Sequence, residues 1–266
     1  MNAFELGVSL ATIAVELNEE IFDLVENAGL QNLEIRHYNR EHYQRNRPFL
    51  KKFSKTRPWT VHAHFGGNVD IASFEKKTRE AGLESLQEAL NVAVDLGAGI
   101  LVVHASVEPL APQNREQHKK FAREGLAFIA EKCAGKGMRL AVEFLPRTCL
   151  GNTAGELMEL IDGLPEDAAG ICLDTNHMMD QYRELPRIVD SLGSRLIATH
   201  LSDYDGVDEK HWIPGAGVID WQAFFNALKN AGYRGTLNYE VVFKDCPPAE
   251  RIALIKDSHR KLFRPS

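Results

Sequence analysis

The sequence predicts an α/β protein, a closed (β/α)8 TIM barrel, and three observations carry that expectation. Short apolar runs alternate with longer amphipathic stretches eight times along 266 residues, the pattern of strand–helix–strand units around a parallel sheet. One run, GILVVHA at 99–105, is almost continuously apolar, as a parallel strand covered on both faces must be. No shift in composition and no low-complexity linker divides the chain. One barrel domain over 1–266 is therefore expected, a length that routinely forms a single barrel. A doubly wound open sheet is the competitor. No glycine-rich dinucleotide fingerprint supports it, because Gly97-Ala98-Gly99 precedes a strand instead of following one. No nucleotide cofactor is expected.

The elements follow in order. FELGVSL (4–10) reads as the first strand. In 18–30, Ile21, Leu24, Val25 and Ala28 share a helical face and Gly29 suits the stop. NLEIRH (32–37) is a strand, 40–54 a helix and WTVHAHF (59–65) the third strand. A long helix is expected over 73–96, where Leu83, Leu86, Leu90, Ala93 and Val94 keep a spacing of three to four. Strand four (99–105), a helix over 114–135 and strand five, MRLAVEF (138–144), come next. A helix over 152–161 begins with Thr153 three positions before Glu156, a capping-box signature. AGICLDT (169–175), RLIATHL (195–201) and GTLNYEVV (235–242) complete the strands, with helices at 185–192, 220–231 and 248–263. Asp220 suits the N-cap of the second of these.

Composition narrows the function classes. The chain is 44% hydrophobic and 26% charged, ordinary for a soluble globular protein. A net charge of -6 argues against a nucleic-acid binder that works by neutralising phosphates. Cys133, Cys149, Cys172 and Cys246 form no C-x-x-C pair and read as free thiols of a reducing cytosol. The first residues lack a basic stretch and are broken by Glu5, unlike a signal peptide. No apolar run approaches the roughly 18 residues of a membrane span. A cytoplasmic protein with no membrane contact is the expectation.

Barrel active sites lie at the C-terminal ends of the strands. Strand three ends near His62 and His64, strand four at His104, strand five at Glu143, strand six at Asp174, strand seven at His200 and strand eight at Glu240. One polar strand end reads as structural; six converging on one mouth read as a shared site. Glu143, Asp174, His200 and Glu240 offer three carboxylates and an imidazole, a donor set for one divalent ion. Its oxygens suit manganese or magnesium, and the histidine also admits zinc or cobalt. A metal-free ionic network is the competing reading, but three carboxylates against one histidine balance poorly. His177, three residues after Asp174, suits a supporting group, a substrate donor or a ligand of a second metal. His64, His104, His177, His211 and Trp212 are read as substrate-binding. In THLSDYDGVDEKHWIPGAG (199–217), Ser202, Asp203 and Asp205 read as the exit from strand seven, their carboxylates either solvated or supporting the site from behind. Asp208, Glu209 and His211 stay open between two readings: they line a substrate pocket, with Trp212 as an apolar wall, or Glu209 and His211 hold another metal.

The order of motifs carries a resemblance. VEF with Glu143, LDTNH with Asp174 and His177, THLSD with His200, HWIPGAGVIDW (211–221) and NYEVV with Glu240 resemble the sugar phosphate isomerase/epimerase superfamily, the xylose isomerase-like barrel group, as does AVDLGAGILVVHAS (93–106). The resemblance spans almost the whole chain. It implies an isomerase or epimerase acting on a sugar, sugar phosphate, inositol-like or small hydroxy-keto compound. It implies one metal on Glu143, Asp174, His200 and Glu240, with Glu143 and Glu240 as the catalytic pair that moves a proton through a metal-bound enediolate. Dehydratases of the same group share these parts. Relatives are often dimers or tetramers, so a homo-oligomer is expected. AP endonucleases with three zinc ions belong to the same superfamily. His64, His104, Glu143, Asp174, His177, His200, His211 and Glu240 fall at places matching their ligands. On that reading His64, His104, His177, Glu209 and His211 hold further metal. Two departures stand out. Glu209-Lys210-His211 replaces the nuclease Asp-x-His, and His211-Trp212-Ile213 stands where ketose epimerases commonly carry an arginine. Few basic residues occur in 106–118 and 145–153, where DNA-gripping loops would need several.

Overall fold

A computed structural model describes residues 4–263. Eight strands close into one parallel barrel in sequence order, and β1 returns to pair with β8. They are β1 (Leu6–Ser9), β2 (Asn32–Arg36), β3 (Arg57–His62), β4 (Ile100–Val103), β5 (Arg139–Glu143), β6 (Ala169–Asp174), β7 (Leu196–Leu201) and β8 (Leu237–Tyr239). The helices are α1 (Leu10–Ile13), α2 (Glu19–Glu26), α3 (Arg40–Leu50), α4 (Lys76–Leu96), α5 (Arg115–Ala134), α6 (Ala154–Leu160), α7 (Leu185–Leu192), α8 (Trp221–Asn230) and α9 (Pro248–Leu262).

Local chemistry sets the helix ends. The side chains of Asn18, Asn39, Thr153 and Asp220 accept hydrogen bonds from the backbone N–H of Ile21, His42, Glu156 and Ala223, satisfying donors that have no partner in the first turn. Only the forward half of the expected capping box forms at Thr153. The Glu156 carboxylate goes instead to Arg115 and to the N–H of Gly151. Gly97 ends α4 at φ 71, a conformation that costs glycine little.

The alternation of side chains along β4 divides the core. Leu101 and Val103 join the main core between strands and helices. Ile100 and Val102 join Ala141, Cys172 and Ala198 in a separate cluster, the layer that fills a barrel interior. The interior below the mouth is therefore packed, and chemistry is confined to the C-terminal rim. Cys133, Cys149, Cys172 and Cys246 are all free. No helix among the described residues is long and apolar enough to cross a membrane.

Candidate active site

Four strand ends bring the central group together. Glu143 is the last residue of β5 and Asp174 of β6; His200 lies in β7 opposite Asp174, and Glu240 directly follows β8. One ligand atom of each lies within 4.8 Å of the others. Glu143, Asp174 and His200 are almost wholly buried. His200 organises the set. Its Nε2 donates to Glu34 Oε2 at 2.9 Å, and that oxygen also accepts from the Thr60 hydroxyl at 2.8 Å. Its Nδ1 faces Glu240 Oε2 at 2.9 Å, Glu143 Oε1 at 3.1 Å and Asp174 Oδ2 at 3.9 Å. A carboxylate behind one imidazole nitrogen fixes the ring and points the other nitrogen at the shared centre, the usual support of a metal-binding histidine.

The electrostatics suit a divalent cation. Burial opposes charge on His200, yet the acidic groups around it raise its pKa well above 6.5. Glu143 is held well below the ordinary carboxylate range by His200 and His104 despite burial. Burial pushes Asp174 upward, and its Oδ2 is buried without any hydrogen-bond partner. An orphaned carboxylate oxygen costs about 1–3 kcal/mol or more. Proton and orphan oxygen both disappear if a divalent ion takes the place of the Nδ1 proton, so the donor set fits such an ion.

Two more groups adjoin this one. His62 Nε2 and His104 Nε2 approach Glu143 Oε2 at 2.8 and 3.0 Å, and His62 Nδ1 donates to the Ala63 carbonyl. Burial brings His104 down to about 4, whereas His62 is raised, because Glu143 outweighs burial there. On the other side, Asp174, His177 and His211 form a third set within 4.8 Å. Glu209 Oε1 lies 3.1 Å from His211 Nε2 and 3.5 Å from His177 Nε2. Burial opposes the charge on His177, but Asp174, Glu209 and Glu143 push its pKa up to about 10. An open cavity of about 540 Å³ lies over all three groups, lined by Glu143, Glu240, His62, His104, His177, Glu209 and His211 among others.

A family model described as xylose isomerase-like TIM barrel matches residues 22–263. The chain belongs to that family. An L-ribulose 3-epimerase of Mesorhizobium japonicum is 29% identical over 180 residues, 65% of this chain and 58% of that enzyme. The inosose isomerase of Bacillus subtilis is 25% identical over 134 residues, 48% of each chain. These alignments span less than two thirds of the relatives' own length. Among solved structures, a D-tagatose 3-epimerase-like protein superposes with a TM-score of 0.81 at 22% identity, covering 97% of both chains. The IolI protein with a bound zinc atom superposes at 0.77 and 20% identity, again covering 97% of both.

Within this xylose isomerase-like barrel, several expected positions shift. His64 joins none of the three groups. It borders a separate small pocket with Asp70 and Ile71, and His62 takes its expected place. Alternation puts residues 62 and 64 on one face only while the strand continues, and β3 stops at His62. Trp212 is 42% exposed and forms no wall of the cavity; its backbone pairs with Asp203 instead. Asp203 is not solvated. It is fully buried, and its carboxylate accepts from the N–H groups of Tyr204, Gly215 and Ile219 and from Trp221 Nε1. Asp208 turns outward to Arg147 Nη2 at 2.7 Å. Ser202 donates to or accepts from His211 Nδ1 at 3.0 Å, and Asp205 caps a tight turn through the N–H groups of Val207 and Asp208. Sequence reasoning missed Glu34, Arg36 and Arg147. Glu34 and Arg36 are charged residues two apart in an otherwise apolar strand, LEIR, which was the available signal. Arg147 lies in a loop and offered none.

Proposed function

We propose that this barrel is a divalent-metal-dependent isomerase or epimerase of a small polyhydroxy carbonyl compound: a sugar, a sugar phosphate, an inositol-like or a hydroxy-keto substrate. The observation that carries the reading is the convergence of Glu143, Asp174, His200 and Glu240 at one point beneath the cavity. The activities for which relatives are named, L-ribulose 3-epimerase and inosose isomerase, support the substrate class. The four residues would hold the ion, which when bound supplies Lewis-acid polarisation of a substrate carbonyl and neighbouring hydroxyl.

The chain's own residues do the proton transfer. Glu143 and Glu240 are both held below the ordinary carboxylate range, in each case by His200 against the opposing effect of burial, so both stand ionised at neutral pH. One removes the proton on the carbon beside the carbonyl, leaving an enediolate. The other, ionised in the resting site, first takes a proton from solvent or a substrate hydroxyl and returns it to the opposite face for epimerisation, or to the neighbouring carbon for isomerisation. His177 and His211, on the β6 and β7 loops, line the cavity and supply N–H groups to substrate hydroxyls. Purified protein should carry about one divalent ion per chain. Glu143→Gln and Glu240→Gln should each slow solvent-deuterium exchange at the substrate's α-carbon by roughly 10²–10⁴-fold. Full exchange in either variant rejects the two-glutamate mechanism.

A second reading has a specific observation behind it. The His62–His104–Glu143 and Asp174–His177–His211 groups share carboxylates with the central one, and Glu209 adds another. Two or three ions per chain, with cleavage of a phosphodiester and no α-carbon exchange, would favour a hydrolase of the multi-zinc kind.

A further inference from the structure

Two guanidinium groups line the cavity, and their surroundings differ. Arg147 is fully engaged: Glu209 lies at 2.8 Å, Asp208 at 2.7 Å and Glu108 at 3.1 Å. Arg36, the last residue of β2, has no such partner. Among the described residues no carboxylate pairs with it, and its Nε is buried without a hydrogen bond. Aromatic faces hold it instead. Its guanidinium carbon lies 4.7 Å from the Phe65 ring centroid and 5.3 Å from that of Tyr38. Stacking fixes the plane of a guanidinium while using none of its five N–H donors.

The position is tied to the reacting end of the cavity. Phe65 stacks on His104 with centroids 3.6 Å apart and planes 18° apart, and His104 Nε2 is 3.0 Å from Glu143 Oε2. Arg36, Phe65, His104 and Glu143 thus form one packed row along the cavity wall. Arg36 is not needed to offset the carboxylates of the site, which meet His62 and His200 in direct contact and would meet the ion in place of the His200 proton. A preplaced guanidinium in the cavity with no carboxylate partner has one strong chemical use, which is binding a carboxylate or phosphate.

We propose that Arg36 binds an anionic terminal group of the substrate, so that the substrate is a sugar acid or a sugar phosphate and not a neutral sugar. This rests on the isomerase or epimerase reading above and names the substrate class within it. A charge-assisted contact of this kind is worth roughly 10- to 150-fold.

The test compares α-carbon deuterium exchange for three probes: a neutral ketohexose, the same ketose carrying a terminal phosphate, and a keto-sugar acid of equal length. Wild type should favour one anionic probe over the neutral one in kcat/KM by at least about tenfold, and which one distinguishes phosphate from carboxylate. In Arg36→Gln that ratio should fall by roughly 10- to 150-fold, with Arg36→Lys between the two. A wild-type preference for the neutral ketose, or a ratio unchanged in Arg36→Gln, overturns the proposal. Should Arg36→Gln lose its circular dichroism spectrum, the ratio in Arg36→Lys decides on the same terms. If wild type exchanges none of the probes, the isomerase reading itself fails. Calorimetric titration with inorganic phosphate and with acetate then judges Arg36 separately. Binding at least about tenfold weaker in Arg36→Gln supports the site, and equal binding rejects it.

Discussion

Asp203 holds the loop that carries Glu209 and His211, and removing its carboxylate should destabilise the protein measurably. The side chain is completely buried. Its Oδ1 accepts from the N–H of Tyr204 at 3.1 Å and of Ile219 at 3.2 Å; its Oδ2 accepts from the N–H of Gly215 at 2.7 Å and from Trp221 Nε1 at 2.8 Å. The chain closes so tightly here that a Cβ on Gly217 would lie 2.1 Å from the Tyr204 carbonyl and 2.5 Å from Asp203 Oδ1. In Asp203→Ala all four donors lose their acceptor. Each stranded donor costs roughly 1–3 kcal/mol in isolation, but a surface loop can open to water, so a total of about 4 kcal/mol is expected. Asp203→Asn keeps one acceptor oxygen and sets an NH2 against two donors, so about half that loss is expected. At roughly 2 °C per kcal/mol for a chain of this size, the melting point falls by about 8 °C for alanine and 4 °C for asparagine. Urea unfolding at pH 7 with an unchanged slope measures the free energies, and calorimetry the temperatures. A loss below about 1 kcal/mol for alanine, or an asparagine variant as unstable as the alanine one, would refute the assignment.

Two further outcomes follow from the same contacts. Glu34→Ala removes the acceptor behind His200 Nε2 and should weaken divalent-ion binding by roughly 10–100-fold, read by competition with a chelating indicator; undiminished affinity would show that Glu34 does not orient the ring. His259 packs against the Tyr239 and Phe263 rings, and burial lowers its pKa from 6.5 to about 4. The unfolded chain then binds the extra proton between those values, so the stability His259 contributes is complete above about pH 6.5 and is lost as pH falls toward 4. His259→Gln should flatten that part of the urea midpoint's dependence between pH 7 and pH 5; an identical slope in both proteins rejects the attribution.

Much of the fold and of the site is legible in the amino-acid sequence alone. A strand buried on both faces must be apolar, so Glu143, Asp174 and His200 stand out against VEF, ICLDT and IATHL, and their positions at strand ends follow from the barrel topology. The structure places those three and Glu240 in one group. The eight strands are visible for the same reason. The α1 helix is not, since Leu10–Ile13 is a single turn with no period to detect and reads as a continuation of β1. The expected eighth strand also runs too long: β8 ends at Tyr239, leaving Glu240 on the loop that follows it.

Periodicity and the order of polar strand ends thus determined the barrel, the family resemblance and the residues at its mouth, because those features depend on local burial and chain order. Tertiary structure decided which side chains meet. It chose His62 over His64 by ending β3, buried Asp203 by folding the 203–219 loop back on it, and engaged Arg147 with three carboxylates from two other loops. It also left Arg36 stacked but unpaired. Such pairings depend on distances between segments up to 166 residues apart, as for Glu34 and His200, and no local pattern in a single sequence encodes them.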